Sequence, residues 1–201
     1  MILVDIGNTH IHIYDNGKIY NSKKIFSFND KVYYISVNKK KEKEFLLKNK
    51  NAINLENVVK FDTAYKNLGI DRVMACKSID DGIVVDAGSA ITIDVMQEGM
   101  HLGGVIMLGI SSYKSAFKEI SDRLDLKTFI LECGTLPNST SEALSWGSVG
   151  SVICMIERLR KNKVVYFTGG DGEFFLRYVE NSIYIKDLIF RGMIKTIKED
   201  L

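Results

Sequence analysis

Apolar and polar positions follow the same order twice along this chain. The apolar run Ile2-Leu3-Val4 leads into Asp5, a glycine turn and an alternating segment, and Ile83-Val84-Val85 leads into Asp86 in the same way. An uninterrupted apolar run favours a buried strand, and an alternating segment favours a strand with one covered face. The pattern therefore predicts a strand, a tight turn and a returning strand, made twice.

The remaining pattern predicts alternating strands and helices in both halves. In the first half, strands are predicted at 2–6, 10–14, 18–25, 32–37 and 58–61, and helices at 39–50 and 71–77. In the second half, strands are predicted at 83–86, 90–96, 101–107, 164–168 and 183–185, and helices at 111–124, 139–161, 171–179 and 187–201. Asn16-Gly17 is typical of a hairpin turn. The restart of the pattern near 77–82 predicts domains at 1–78 and 79–201.

Composition narrows the class of protein. A net charge of +2 over 201 residues gives no electrostatic case for a nucleic-acid or membrane partner, and the lysine-rich helix at 39–50 is expected to be a solvated face. The cysteines Cys76, Cys133 and Cys154 are odd in number and widely spaced, which favours a reducing compartment. No signal-peptide pattern opens the chain. We therefore expect a cytoplasmic protein.

The two echoed turns suit the binding of phosphates. They read Asp5-Ile6-Gly7-Asn8-Thr9 and Asp86-Ala87-Gly88-Ser89-Ala90. Glycine lets the backbone approach an anion closely, and the amides of such a turn bind its oxygens. The aspartate supplies a hard oxygen ligand for a cation that accompanies the phosphates. Either turn alone is a common one, but their recurrence predicts a nucleotide cleft between two related domains.

Two further glycine segments are compatible with a ligand. Thr168-Gly169-Gly170 joins a predicted strand to a helix, where backbone amides and the positive helix end favour anions. Gly103-Gly104, with Gly109, lies in and after another strand, where glycine allows close approach of a backbone or a ligand. Taken alone, a plain strand-to-helix turn and a β-bulge explain these two segments.

The ordered set of motifs resembles the type III pantothenate kinases of the actin, Hsp70 and sugar kinase superfamily. Besides the segments above, the resemblance includes Gly69-Ile70-Asp71-Arg72 and Thr140-Ser141-Glu142-Ala143. It implies an α/β fold of two related ribonuclease H-like domains with a nucleotide cleft between them. The implied activity is ATP-dependent phosphorylation of pantothenate, the first step of coenzyme A synthesis. A phosphatase or polyphosphatase on the same fold, or a non-catalytic nucleotide-binding regulator, remains the alternative.

The resemblance also implies roles for individual residues. Asp71 is the expected catalytic base. The residues expected at the ATP phosphates are Asp5, Ile6, Gly7, Asn8, Thr9, His10, Ile11, His12 and Ser89. The residues expected at pantothenate are Tyr65, Gly69, Ile70, Asp71, Arg72 and Thr140. Asp5 is expected to hold Mg²⁺ through the phosphates, and Asp86 a monovalent cation, K⁺ or NH₄⁺.

Assembly as a homodimer is implied as well. The predicted helix at 139–161 carries a stripe of small residues at helical spacing: Ala143, Gly147, Gly150, Ser151 and Cys154. Such a stripe lets another backbone come close. Packing within the subunit explains the spacing equally, and the resemblance favours a contact between subunits.

Overall fold

The computed structural model describes residues 1–131 and 136–201, which form an α/β fold with two five-stranded sheets. The strands are β1 (Ile2–Ile6), β2 (Ile11–Asp15), β3 (Lys18–Ser22), β4 (Val32–Ser36), β5 (Ile53–Asn54), β6 (Gly82–Ala87), β7 (Ala90–Gln97), β8 (Met100–Leu108), β9 (Val165–Thr168) and β10 (Ser182–Tyr184). The helices are α1 (Lys39–Lys48), α2 (Ile70–Lys77), α3 (Ile110–Ile120), α4 (Thr140–Ser145), α5 (Ser151–Arg160), α6 (Gly172–Phe175) and α7 (Leu188–Glu199). Cys133 lies outside the described residues.

The two sheets repeat one strand order. The first runs β3-β2-β1-β4-β5 and the second β8-β7-β6-β9-β10. In each, the central strand pairs antiparallel with the strand that returns from the turn and parallel with the next strand along the chain. In both sheets the aspartate is the last residue but one of the central strand, with Asp5 opposite His12 and Asp86 opposite Thr92. The predicted duplication of strand, turn and returning strand is confirmed.

The chain divides into two compact units, one around each sheet. The first contains residues 1–80, 97–102 and 187–201, and the second contains 81–96 and 103–186. The terminal helix α7 therefore belongs to the unit of the first sheet. The division into a phosphate-binding domain at 1–78 and a nucleotide- and substrate-binding domain at 79–201 stays a prediction.

In the first unit, both faces of the sheet are covered. Leu3 belongs to a buried cluster with residues of α2 and α7, whereas Val4 belongs to a cluster that includes Phe45 of α1. Side chains alternate between the faces of a strand. Asp5 therefore shares the face of Leu3, the face on which α2 packs.

Helix α2 is held by an unusually close contact with α7. A Cβ atom added to Gly192 would overlap the main-chain carbonyl of Met74. The hydroxyl of Thr196 donates to the Gly192 carbonyl at 2.9 Å and contacts the Met74 sulfur at 3.5 Å. The two helix backbones thus pack directly on each other, and glycine is the residue that permits it.

In the second unit, one face of the sheet carries the main core. Val85 of β6 and Phe167 of β9 pack with Val152 and Ile156 of α5 and with Phe175 of α6. The other face of β6 carries Val84 and Asp86, by the same alternation.

Several predicted elements differ from the structure in extent. The strand predicted at 58–61 is wrong: the amides of Val58 and Val59 both bond to the carbonyl of Leu55, so this segment closes a 3-10 turn instead of joining a sheet. Strand β3 ends at Ser22, because the Ser22 hydroxyl bonds to both the amide and the carbonyl of Lys24.

The helices show similar differences. The predicted helix at 111–124 ends at Ile120 and is followed by a separate 3-10 turn, and α6 covers only the start of the predicted 171–179. The predicted long helix at 139–161 is present as α4 and α5, joined by a π-helical turn at Trp146–Gly150. Among the described residues, no helix has both the length and the apolar character that crossing a membrane requires.

We predict that Gly192→Ala destabilises the first unit. The added methyl group has no space at the Met74 carbonyl, and overpacking of this kind costs roughly 1–3 kcal/mol. The higher helix propensity of alanine recovers up to about 1 kcal/mol. Urea denaturation followed by circular dichroism measures the change. Lys198→Ala, at an exposed position of the same helix, is the control, and a Gly192→Ala protein as stable as this control would contradict the prediction.

Candidate functional site

The first glycine turn follows directly from the central strand β1. Asp5, which is 6% exposed, lies one residue before the end of that strand. Across the sheet it lies opposite His12, which in turn lies opposite Asn21. The His12 Nδ1 atom is 2.8 Å from the Asn21 side-chain oxygen. Asp5, His12 and Asn21 therefore form a polar row across three strands, on the face that carries α2.

The electrostatics of this turn are basic. Burial lowers the pKa of His12, and the neighbouring charges of His10 and Lys41 lower it further, against the opposing effect of the hydrogen bond with Asn21. The rings of His10 and His12 are 6.4 Å apart. The lowered pKa favours the neutral form of His12. The ammonium group of Lys41 is a second basic group at this turn.

Lys41 is the residue of this region that sequence reasoning missed. Its ammonium group donates hydrogen bonds to the carbonyls of Gly7 at 3.1 Å and Asn8 at 2.6 Å. Lys39 and Lys40 are exposed, as expected of a solvated face, but Lys41 points at the turn. One sequence signal could have found it: cations in the first turn of a helix oppose the helix dipole, each by roughly 0.3–1 kcal/mol. A run of three lysines at the start of α1 is thus locally unfavourable.

The predicted catalytic segment begins helix α2. Asp71 is the second residue of that helix, and one of its carboxylate oxygens accepts the amide of Arg72 at 2.8 Å. A Cβ atom on Gly69 would lie 2.7 Å from the same oxygen. Any side chain at position 69 would therefore displace the carboxylate, which explains the pairing of glycine and aspartate two residues apart.

Two more of the predicted pantothenate residues lie together in this unit. The Arg72 guanidinium lies over the ring of Tyr65, 4.8 Å from its centre, and Arg72 is itself buried. The Tyr65 ring is 6.1 Å from that of His101, whose Nδ1 is 2.7 Å from the Thr63 hydroxyl. His101, which the sequence reasoning left without a role, thus supports Tyr65.

The second glycine turn follows the central strand β6 of the other unit. The Ser89 carbonyl accepts the amide of Gly109 at 3.2 Å and the hydroxyl of Ser112 at 3.0 Å. A Cβ atom on Gly169 would overlap a carboxylate oxygen of Asp86. Asp86, Ser89, Gly109 and Gly169 therefore lie at one end of the second sheet. Gly169 has φ +81°, a conformation that favours glycine.

Thr140 lies at the start of helix α4. It is the exposed first residue of α4, after the helix cap Ser139, whose side chain accepts the amide of Glu142. A Glu142 carboxylate oxygen in turn accepts the backbone amide of Asn138, the residue before the cap, at 2.8 Å. The role of Thr140 toward a substrate stays a prediction.

The residues present fit a nucleotide with accompanying cations. Carboxylates end the central strand of each sheet at Asp5 and Asp86, and hard cations prefer oxygen ligands of this kind. Glycine follows each aspartate two residues later, and Lys41 places positive charge at the first turn. The two carboxylates can bind cations, and the glycine turns together with Lys41 can bind anionic oxygens.

Two solved structures resemble this one, the first in sequence and fold and the second in fold alone. A Campylobacter jejuni protein described as a candidate Baf family transcriptional activator superposes with a TM-score of 0.85 at 44% identity, covering 99% of this chain and 98% of that one. A candidate N-acetylglucosamine kinase from Porphyromonas gingivalis superposes with a TM-score of 0.51 at 10% identity, covering 98% of each chain. The second likeness concerns the fold alone and is in keeping with the sugar kinase type of architecture.

Sequence comparisons give the family. The family model for type III pantothenate kinase matches residues 36–162. A type III pantothenate kinase from Wolinella succinogenes is 46% identical over 99% of this chain and 97% of its own length. One from Helicobacter hepaticus is 43% identical over the full length of both. The chain belongs to the type III pantothenate kinase family.

Proposed function

We propose that this protein transfers the terminal phosphoryl group of ATP to a hydroxyl group of pantothenate, the first step of coenzyme A synthesis. The observation that carries the proposal is the similarity to type III pantothenate kinases over 99% of the chain. The products are 4'-phosphopantothenate and ADP. Both glycine turns and the Gly69–Asp71 pair have geometries that suit this reaction.

The two glycine turns serve the phosphates in this proposal. Their backbone amides and the Ser89 hydroxyl bind phosphate oxygens, with His10, Ile11 and His12 completing the first site. Phosphoryl transfer depends mainly on positioning and charge neutralisation, so rigid turns are what the chemistry needs. Mg²⁺, when bound, neutralises charge on the phosphates, and Asp5 would hold it through them. We assign to Asp86 a monovalent cation, K⁺ or NH₄⁺.

Asp71 acts as the base in this proposal. Its carboxylate accepts the proton of the pantothenate hydroxyl as the oxygen bonds to phosphorus and ADP leaves. Gly69 leaves space for the carboxylate, and the Arg72 amide fixes one of its oxygens. Helix α2 packs on the face of the first sheet that also carries Asp5. Asp71 and the phosphate turn are therefore positioned by the same sheet.

Arg72 is suited to binding the carboxylate of pantothenate. Arginine pairs well with carboxylates because its planar group offers parallel N–H donors. Tyr65 holds the guanidinium from one side. Gly69 and Ile70 form the entry to the same helix, and Thr140 provides a further polar contact with the substrate.

We extend the proposal to a homodimer. Ala143, Gly147 and Cys154 of the small-residue stripe are exposed, and a Cβ atom on Gly147 would have open space around it. Gly150 is different: it packs against the Trp146 ring of its own chain. The exposed part of the stripe is the surface on which we place the second subunit.

The activity itself is tested with the purified protein, ATP, Mg²⁺ and K⁺, with and without pantothenate. We expect ADP to form only when pantothenate is present, and mass spectrometry to detect 4'-phosphopantothenate. ATP turnover without pantothenate would favour the hydrolase alternative, and no turnover would favour a regulator. Replacing K⁺ by Na⁺ should slow the reaction, and equal rates in the two salts would contradict the cation at Asp86.

The substitution Asp71→Asn tests whether Asp71 acts as the base or has only a structural role at the start of the helix. Asparagine is nearly equivalent at a helix start, so the fold should survive, but it cannot accept the proton. We expect kcat to fall by roughly two to four orders of magnitude, toward the lower figure if the transition state is loose. ATP binding, measured by calorimetry, should persist. Asp122→Asn, at an exposed start of the 3-10 turn, is the control; near-normal turnover by Asp71→Asn would remove Asp71 from the mechanism.

The dimer is tested by filling the exposed stripe. Gly147→Leu should lower the mass measured by light scattering at micromolar concentration to that of one chain, because leucine blocks close approach of a second backbone. Ser141→Leu, also exposed but about 120° away from Gly147 around the helix axis, should leave the mass unchanged. A wild-type protein with the mass of a single chain would rule out the dimer.

A further inference from the structure

Lys41 occupies a position that the solvated-face interpretation of its helix does not explain. Asn38 caps α1, and its side-chain oxygen accepts the Lys41 amide at 3.0 Å. The Asn38 side-chain amide also reaches the Asn8 side chain at 3.4 Å. The start of α1 is thereby joined to the first glycine turn, and Lys41 reaches back from it.

The strand before α1 holds this arrangement in place. The Val37 amide donates to the Ile6 carbonyl at 3.1 Å, which extends the pairing of β4 with β1 to the edge of the turn. The Ser36 hydroxyl accepts the Asn38 amide at 3.2 Å. These bonds keep the origin of the Lys41 side chain at a fixed position relative to the turn.

The two hydrogen bonds of Lys41 decide which way the turn amides point. In a trans peptide unit, the carbonyl of one residue and the amide of the next point in opposite directions. Lys41 binds the carbonyls of Gly7 and Asn8. The amides of Asn8 and Thr9 therefore point away from the ammonium group, to the other side of the turn.

A cation on these carbonyls also strengthens the amides as donors. Hydrogen bonds that share a peptide unit polarise one another, so the bond to the carbonyl makes the opposite N–H a better donor. This polarisation is largest when the donor is charged, as the ammonium group is. The Asn8 and Thr9 amides therefore form stronger hydrogen bonds to anionic oxygens.

We propose that Lys41 is a positioning residue for the phosphates of ATP, acting through the Gly7–Asn8–Thr9 backbone. It orients and polarises two peptide units, and its charge offsets the charge of the anion on their far side. This inference rests on the proposed function, because it assigns the first turn to the phosphates. It adds a residue of α1 to a site otherwise composed of β1, β2 and the turn between them.

The test compares Lys41→Met, Lys41→Arg and Lys43→Met. Methionine keeps the length and apolar stem of lysine without the charge, arginine keeps charge and donors, and Lys43 is exposed on the same helix. We expect Lys41→Met to weaken MgATP binding, measured by calorimetry, and to raise the KM for ATP by about tenfold, equivalent to 1.4 kcal/mol. The KM for pantothenate should stay within twofold of the wild-type value. Lys41→Arg should restore most of the affinity, and Lys43→Met should match wild type.

The outcomes separate this inference from the proposed function. If the wild type phosphorylates pantothenate and Lys41→Met binds MgATP as tightly, the inference is overturned and the function stands. If Lys41→Met raises both KM values together, or if Lys43→Met has the same effect, the role is structural or a general charge effect, and the inference is again overturned. If the wild type binds MgATP in the Lys41-dependent way but does not phosphorylate pantothenate, only the function fails. A wild type that binds no MgATP overturns both.

Discussion

Each sheet is organised around one strand that is hydrogen-bonded on both sides and ends beside an aspartate. Strand β1 lies between β2 and β4, and β6 lies between β7 and β9. A strand paired on both edges and covered by side chains cannot slip in register without moving its whole apolar set to the wrong face. The carboxylate and the turn that follow it are therefore held in place. The proposed phosphate and cation sites lie at these two fixed points.

The first unit adds a second constraint, which positions helix α2. Helix α2 is only eight residues long, and a helix of that length depends on tertiary packing for its stability. That packing comes from α7, at the far end of the chain, through the direct contact of Gly192 with the Met74 backbone. The start of α2, where Asp71 lies, is thus supported by residues more than a hundred positions away in sequence.

The start of α1 is locally unfavourable for a helix. A helix that begins with three lysines places cations at its positive end, where acidic residues would stabilise it. Such breaks of a local rule are typical of functional sites. Here the Lys41 side chain finds carbonyl partners in the glycine turn, so the unfavourable placement in the helix is partly offset by contacts outside it.

The sequence by itself determined the features that depend on near neighbours. Apolar runs and alternation identified β1, β2, β6 and β7, and the glycines after Asp5 and Asp86 marked the turns, because strand periodicity and turn chemistry act over a few residues. The hairpin at Asn16-Gly17 was predicted for the same reason. Family resemblance then linked these local signals to a kinase.

Tertiary structure alone decided the features that depend on distant neighbours. Three contacts join segments that are far apart in sequence. Helix α7 packs in the first unit, and its Gly192 contacts Met74. The Tyr65 ring lies near both Arg72 and His101. The same holds for the hydrogen bonds of Lys41 to the first glycine turn, which lies more than thirty residues earlier in the chain. Local pattern cannot encode these contacts, because packing in the folded chain selects them from many alternatives that the pattern permits equally.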